Sequence, residues 1–198
     1  MTFDNDGSDR AGKRRKKPRP PREPRVQKPI DAAHLQDMAV GYAAKYATTA
    51  AKLRRYLQRK LGERGWSGAE LPDVEALVER ICGLGYVDDR AWAASKVRDL
   101  TARGFGTRRV RGALAAAGVG RADAAAAVDT GEDGEDLALN TAIAFARRRR
   151  FGREGPSSDP VRMRRELAAM ARAGHDFGVA KRVLGAWDED EVEALGGD

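Results

Sequence analysis

One short phrase occurs three times in this chain, and its spacing limits the possible folds more than any other feature. The copies are Lys52-Leu53-Arg54-Arg55-Tyr56-Leu57, Arg109-Val110-Arg111-Gly112-Ala113-Leu114 and Arg162-Met163-Arg164-Arg165-Glu166-Leu167. Each reads basic, apolar, Arg, two free positions, Leu. They start at positions 52, 109 and 162, steps of 57 and 53 residues, and a period of this length marks a stacked array of similar units. Within each copy the apolar pair sits four residues apart, on one face of a helix, where it can pack inward. The flanking cations are then turned out of that face. An array that repeats one charged surface suits a partner that is itself long and repetitive.

The rest of the chain reads as helix after helix. Asp31 to Ala47 carries Leu35, Met38, Tyr42 and Tyr46 at helical steps. Thr49 can cap a second helix with Leu53, Tyr56, Leu57 and Leu61 on one face, stopped by Gly62 and Gly65. Pro72 suits a first helical position ahead of the stripe Val74, Leu77, Val78, Ile81 and Leu84, which Gly85 ends. A second unit opens at Asp88, with Trp92, Val97 and Leu100 inward. It breaks at Gly104-Phe105-Gly106 and resumes with Thr107 as cap; a short third helix spans Ala122 to Val128. A third unit starts near Glu135 with Leu139, Ile143 and Ala146 inward. Asp159-Pro160 starts its second helix and Gly174 ends it. Asp176 caps the last, with Phe177, Ala180, Val183, Leu184 and Trp187 inward. No stretch alternates with a period of two, so no strands are expected.

The expected fold class is therefore all-α: an elongated array of three tandem three-helix units, preceded by a disordered basic tail. The tail covers residues 1–29, the units 30–87, 88–131 and 132–187, and an acidic, frayed C-terminus 188–198. In the tail, cations from Lys13 to Lys28 alternate with Pro18, Pro20, Pro21, Pro24 and Pro29. Like charges repel, prolines block regular structure, and little there is apolar enough to bury. Its functional reading is a non-specific nucleic-acid arm; otherwise it is a solvated extension.

Nothing assembles an active site, and an enzyme, a cofactor and a metal are not expected. Cys82 is the single cysteine, so no intrachain disulfide or cysteine-based zinc cluster is possible, which fits a reducing cytoplasm. Cys82 sits on the apolar side of its helix, where a buried, inert thiol is expected. His34 and His175 are too scattered for a metal site and read as surface or turn residues. Asp88-Asp89 resembles a catalytic carboxylate pair, but it precedes an amphipathic helix with no third acid or His beside it. Asp88 and Asp89 are therefore read as structural caps, with Tyr86 or Val87 stapling near Trp92. Gly104-x-Gly106 and Gly118-x-Gly120 follow no strand and continue into no phosphate-loop signature, so they are helix breakers. No run approaches a membrane span, and no apolar stretch follows the basic N-terminus as in a signal peptide.

The arginine sets remain. A net charge of +7 favours a polyanionic partner. The candidate partner-binding residues are Lys52, Arg54, Arg55, Arg108, Arg109, Arg111, Arg162, Arg164 and Arg165, with Arg147 to Arg150 a further run. Guanidinium forks pair equally well with carboxylates and phosphates, so this surface points to an anionic partner without fixing its kind. Because each surface recurs within one chain, a monomer is expected.

Gly85-Tyr86-Val87-Asp88-Asp89-Arg90-Ala91-Trp92-Ala93 resembles a hallmark stretch of the RecX family, bacterial regulators of the RecA recombinase. Gly104-Phe105-Gly106-Thr107-Arg108-Arg109-Val110-Arg111, with Leu114, is similar to that family's second-unit signature. The resemblance spans about residues 35 to 187. It implies a non-enzymatic modulator that lies in the groove of the RecA–DNA filament and bridges neighbouring subunits. It also implies restraint of recombination, DNA repair and the co-protease activity of the SOS response. The alternative reading is a helical protein that binds nucleic acid directly, without RecA.

Overall fold

The computed structural model describes residues 28–128, 134–151 and 159–185. Among them the chain is helical: α1 (Ala32–Lys45), α2 (Ala50–Arg64), α3 (Val74–Gly83), α4 (Asp89–Ala102), α5 (Thr107–Ala117), α6 (Arg121–Val128), α7 (Gly134–Arg149), α8 (Pro160–Ala173) and α9 (Phe177–Gly185). The only extended pairing among the described residues is an isolated parallel bridge between Ile30 and Trp66. The expected tail up to residue 27, Trp187 and the acidic end 188–198 lie outside the described residues.

The helix pairs in most extensive contact fall into three groups, α1–α3, α4–α6 and α7–α9. Each group has its own apolar cluster. The first gathers Ile30, Leu53, Leu57, Val78 and Ile81; the second Ala93, Val97, Val110 and Leu114; the third Ile143, Phe145, Met170 and Leu184. Phe105, in the α4–α5 turn, packs against both the second and the third.

The helices start where short acceptor side chains meet free N–H groups. The Asp31, Asp73 and Asp88 carboxylates accept from the N–H of His34 at 2.8 Å, Ala76 at 2.9 Å and Ala91 at 2.8 Å. Asp159 accepts from Val161 N–H at 2.9 Å, ahead of Pro160 at the first helical position. Thr49 Oγ1 accepts from Lys52 N–H at 3.2 Å. Replacing Asp88 by Ala orphans one such donor, and the expected result is a loss of roughly 0.5–2 kcal/mol of stability. Urea denaturation checks it; an unchanged midpoint would mean that water caps this helix as well as the carboxylate does.

Several local expectations shift. Thr107 is the first residue of α5 and makes no side-chain cap; Gly106 holds the cap position. Pro72 lies before the Asp73 cap rather than inside α3, and Gly62 lies within α2, whose end is set by Gly65. Leu84 and Phe177, expected inward, are 65% exposed, and Tyr46 is 49% exposed. Each sits at the first residue or the C-cap of its helix, where side chains splay away from the core stripe. Val87 is buried in the first cluster while Tyr86 is exposed, so the chain before α4 anchors backwards rather than onto Trp92. His175, expected at the surface or in a turn, lies in the turn between α8 and α9 and is buried there.

Candidate functional site

The three helices that carry the repeated phrase are α2, α5 and α8, and they meet end to end. At one junction the N-terminus of α5 abuts the C-terminus of α8. Gly106 N–H donates to Ala173 O at 3.0 Å and Arg108 N–H to Gly174 O at 3.2 Å. At the other, the C-terminus of α5 abuts the N-terminus of α2. Thr49 Oγ1 donates to Ala117 O at 2.6 Å in a buried bond, and the Arg55 guanidinium donates to Ala116 O at 3.2 Å. Helix ends carry backbone groups with no partner inside the helix. Here donors of one helix satisfy acceptors of the next, and the positive end of one helix dipole meets the negative end of another. Asp89 adds to the second junction: its carboxylate accepts from Ala50 N–H, the first residue of α2, at 2.8 Å. Asp88 thus caps its own helix, while Asp89 caps one from the preceding group.

Close approach at these ends requires glycine. Gly118 and Gly174 end α5 and α8 in the left-handed conformation, at φ 78° and 93°. In both, crossed hydrogen bonds close the helix: Val119 N–H to Leu114 O at 3.1 Å, and His175 N–H to Met170 O at 3.2 Å. A Cβ on Gly118 would collide with Ala51, and one on Gly174 would lie 2.6 Å from Arg109 Cβ.

His175, beside Gly174, seals the α5–α8 junction. Its Nε2 lies 3.1 Å from Gly104 O, in a buried contact. A carbonyl only accepts, so Nε2 carries the hydrogen and Nδ1 the lone pair. The ring tilts against Phe145, with centroids 5.4 Å apart. Burial pushes the imidazole below its ordinary value of 6.5, against a smaller opposing pull from the Gly104 bond. Above pH 6.5 the folded and unfolded chains both hold it neutral, and its full contribution is present. As pH falls through that value the unfolded chain takes the proton first, so stability declines with acidification. The melting temperature is expected to fall between about pH 7 and pH 5 more steeply in the wild type than in His175→Gln. Parallel slopes in circular-dichroism melts would remove His175 from the account.

The nine sequence-derived cations divide into two sets. Lys52, Arg54 and Arg162 are half-buried and engaged within the chain. Lys52 Nζ lies 4.1 Å from the Trp92 ring centre, bridging α2 and α4. Burial, then Lys96 and Arg55, lower its pKa. Arg54 pairs with Glu75 of α3, and its Nε is buried without a partner among the described residues. Arg162 pairs with Glu166 at 3.0 Å, and Glu166 is itself buried. The outward direction expected of every cation in the phrase therefore fails for these three. In the third copy the apolar pair, Met163 and Leu167, is only half-buried, and Met170 fills the core instead.

The other six are exposed. Arg55 reaches the α5 carbonyl, and the Arg109 guanidinium stacks on the Phe105 ring at 4.4 Å. Arg108, Arg111, Arg164 and Arg165 stand on α5 and α8. Arg108 and Arg111 line a cleft of about 400 Å³ at the α5–α8 junction, together with exposed Asp176 and Phe177. The sequence pattern hides this cleft, because helical spacing alone places Phe177 in the core. The run at the end of α7 is exposed, and Arg148 donates to Arg103 O at the end of α4. Such a surface can hold carboxylates or phosphates through charge-assisted hydrogen bonds.

Among the described residues no group of three or more His, Cys, Asp or Glu is placed to hold a metal ion, and no helix is long and apolar enough to cross a membrane. Burial, with Asp89 adding, raises the pKa of the half-buried Cys82 thiol, opposite to what a nucleophile needs.

Comparison with known proteins bears on the same helices. No family model matches the chain. The regulatory protein RecX of Myxococcus xanthus is 35% identical over 182 residues, covering 88% of this chain and 95% of that protein. The regulatory protein RecX of Xanthomonas campestris is 36% identical over 124 residues, 62% of this chain and 71% of that one. A crystal structure of a regulatory protein RecX superposes with a TM-score of 0.53 at 24% identity, covering 76% of this chain and 72% of that one. The crystal structure of RecX from Lactobacillus salivarius superposes with a TM-score of 0.57 at 13% identity, covering 82% and 96%. At these identities the two structures support the all-helical fold.

Proposed function

The chain belongs to the RecX family of regulatory proteins, and on that premise we propose that it regulates the RecA recombinase from the groove of the RecA–DNA filament. The observation that carries the proposal is the end-to-end row of α8, α5 and α2. A filament repeats one subunit surface at a fixed interval, and this row carries cations from one unit to the next. Contacts to successive subunits then share one ordering cost, so modest individual contacts sum to firm binding. Arg108, Arg111, Arg164 and Arg165 are the principal contacts, with Arg55 and Arg109 beside them. Lys52, Arg54 and Arg162 act mainly by holding the row in shape.

The regulation proposed is inhibitory. A protein that fills the groove favours one filament state over others, which lowers ATP hydrolysis, strand exchange and co-protease activity together. It acts in the cytoplasm as a monomer, without chemistry of its own.

The test is cosedimentation with preformed RecA–DNA filaments against bare DNA, at a matched salt near 0.15 M, where exposed charge attraction is well screened. Pelleting with filaments at concentrations that leave bare DNA unoccupied is the expected result. Equal pelleting with both would replace the proposal by direct nucleic-acid binding.

A further inference from the structure

We propose that α1 and α2 form a second binding site, a tyrosine-and-cation groove that takes single-stranded nucleic acid by stacking its bases. The groove, about 450 Å³, is lined by Met38, Gly41, Tyr42, Lys45, Tyr46, Tyr56 and Arg59. The helical register of α1 puts Tyr42 and Tyr46 on neighbouring turns, and α2 brings Tyr56 alongside. Tyr42 and Tyr56 stack with ring centres 4.2 Å apart and planes 18° from parallel; Tyr46 lies 5.1 Å from Tyr42. This row ends in an open ring, because Tyr46 is 49% exposed. Lys45 Nζ lies 5.4 Å from the Tyr46 ring centre, and the Arg59 guanidinium 5.7 Å from that of Tyr56.

Three observations select the ligand. Exposed flat rings offer stacking area to any base, and rim cations meet the phosphates between bases. The groove lining contains no acid. One turn further along α2, Glu63 is held by Arg59 at 2.8 Å and Lys60 at 2.5 Å, two cations to one acid. The same cations repel the quaternary or methylated ammonium ligands that tyrosine cages otherwise take. Duplex DNA is disfavoured because its base faces are already covered by their neighbours, whereas a single strand has bases free to stack on Tyr46. The cations between Lys13 and Lys28 precede this unit in the chain, which suits a partner with an extended phosphate backbone. Tyr56 and Arg59 share α2 with Arg55, so the measurement below is made without RecA, which keeps its outcome separate from that of the RecA proposal.

The experiment uses the full chain without RecA and fluorescence anisotropy with labelled oligo(dT). An abasic strand and a duplex of equal length serve as controls. Tyr46→Ala should weaken oligo(dT) binding by roughly 5- to 100-fold, the range for losing one stacked base. The abasic and duplex controls should hardly change. Tyr46→Trp should restore binding. Gly41 gives a second variant, on the groove wall: a Cβ there meets nothing within 4 Å, and α1 gains a better helix former. Gly41→Leu should therefore obstruct the groove and weaken oligo(dT) binding while the melting temperature holds or rises. The proposal is overturned if wild type prefers oligo(dT) no more than the abasic strand. It is equally overturned if folded Tyr46→Ala and Gly41→Leu bind oligo(dT) as wild type does.

Discussion

Gly174→Ala is expected to destabilise the folded chain by about 2–5 kcal/mol. A non-glycine residue in the left-handed region costs about 1–2 kcal/mol, and overpacking a closed contact adds about 1–3. Both apply: Gly174 stands at φ 93°, and a Cβ there would meet Arg109 N and Cβ. The clash cannot be relieved by a rotamer change, because Arg109 belongs to the first turn of α5, whose neighbouring N–H groups bond to the end of α8. Relief means opening the α5–α8 junction, which exposes His175 and unseats Phe105. Gly112→Ala is the control. It lies in α5 with open space around its Cβ, and the change should be neutral or stabilising by about 0.5–1 kcal/mol. Urea denaturation of both variants decides the matter; equal midpoints would mean that the junction carries no stability.

The second large effect belongs to the proposed filament surface. Replacing Arg108, Arg111, Arg164 and Arg165 together by Ala should lower affinity for RecA–DNA filaments by more than about 3 kcal/mol. Hydrogen bonds to charged groups contribute about 1.5–3 kcal/mol apiece, and linked contacts are lost together. Stability should stay within about 0.5 kcal/mol, as for surface substitutions generally, since none of the four pairs with another described residue. Arg54→Ala should do the reverse. It removes the partner of Glu75 and empties a half-buried position, so it should cost stability and change filament affinity little. A folded four-arginine variant that still inhibits RecA at wild-type concentration would move the contact to Arg147–Arg150 or to the basic N-terminal segment.

The contrast between Arg54 and Arg111 shows where sequence reasoning stops. Both hold the third position of the same phrase, and both follow an apolar residue that is wholly buried, Leu53 or Val110. Period and pattern treat them alike. One faces Glu75 on α3, and the other faces solvent at a cleft. Likewise, Tyr42 and Tyr46 read as one inward stripe of the first helix. Yet Tyr46 sits at the last cap of α1, where the backbone has left the helix and its ring turns outward.

What the sequence determined by itself is what physics resolves within a turn or two. Helical content, the caps at Thr49, Asp88 and Asp159, the stops at Gly118 and Gly174, and the inward Leu53–Leu57 and Val110–Leu114 pairs all follow from residues at most five apart. The resemblance to the RecX family was also legible there, because its hallmark phrases are themselves such local signals. Tertiary structure alone decided how the helix ends were satisfied. Asp89 caps Ala50 across 39 residues, Arg55 reaches Ala116 across 61, Thr49 reaches Ala117 across 68, and His175 meets Gly104 across 71. An orphaned N–H or C=O accepts any partner of the right polarity, so local pattern leaves the choice open. Which partner arrives depends on how the whole chain packs, and that choice joins α8, α5 and α2 into one row.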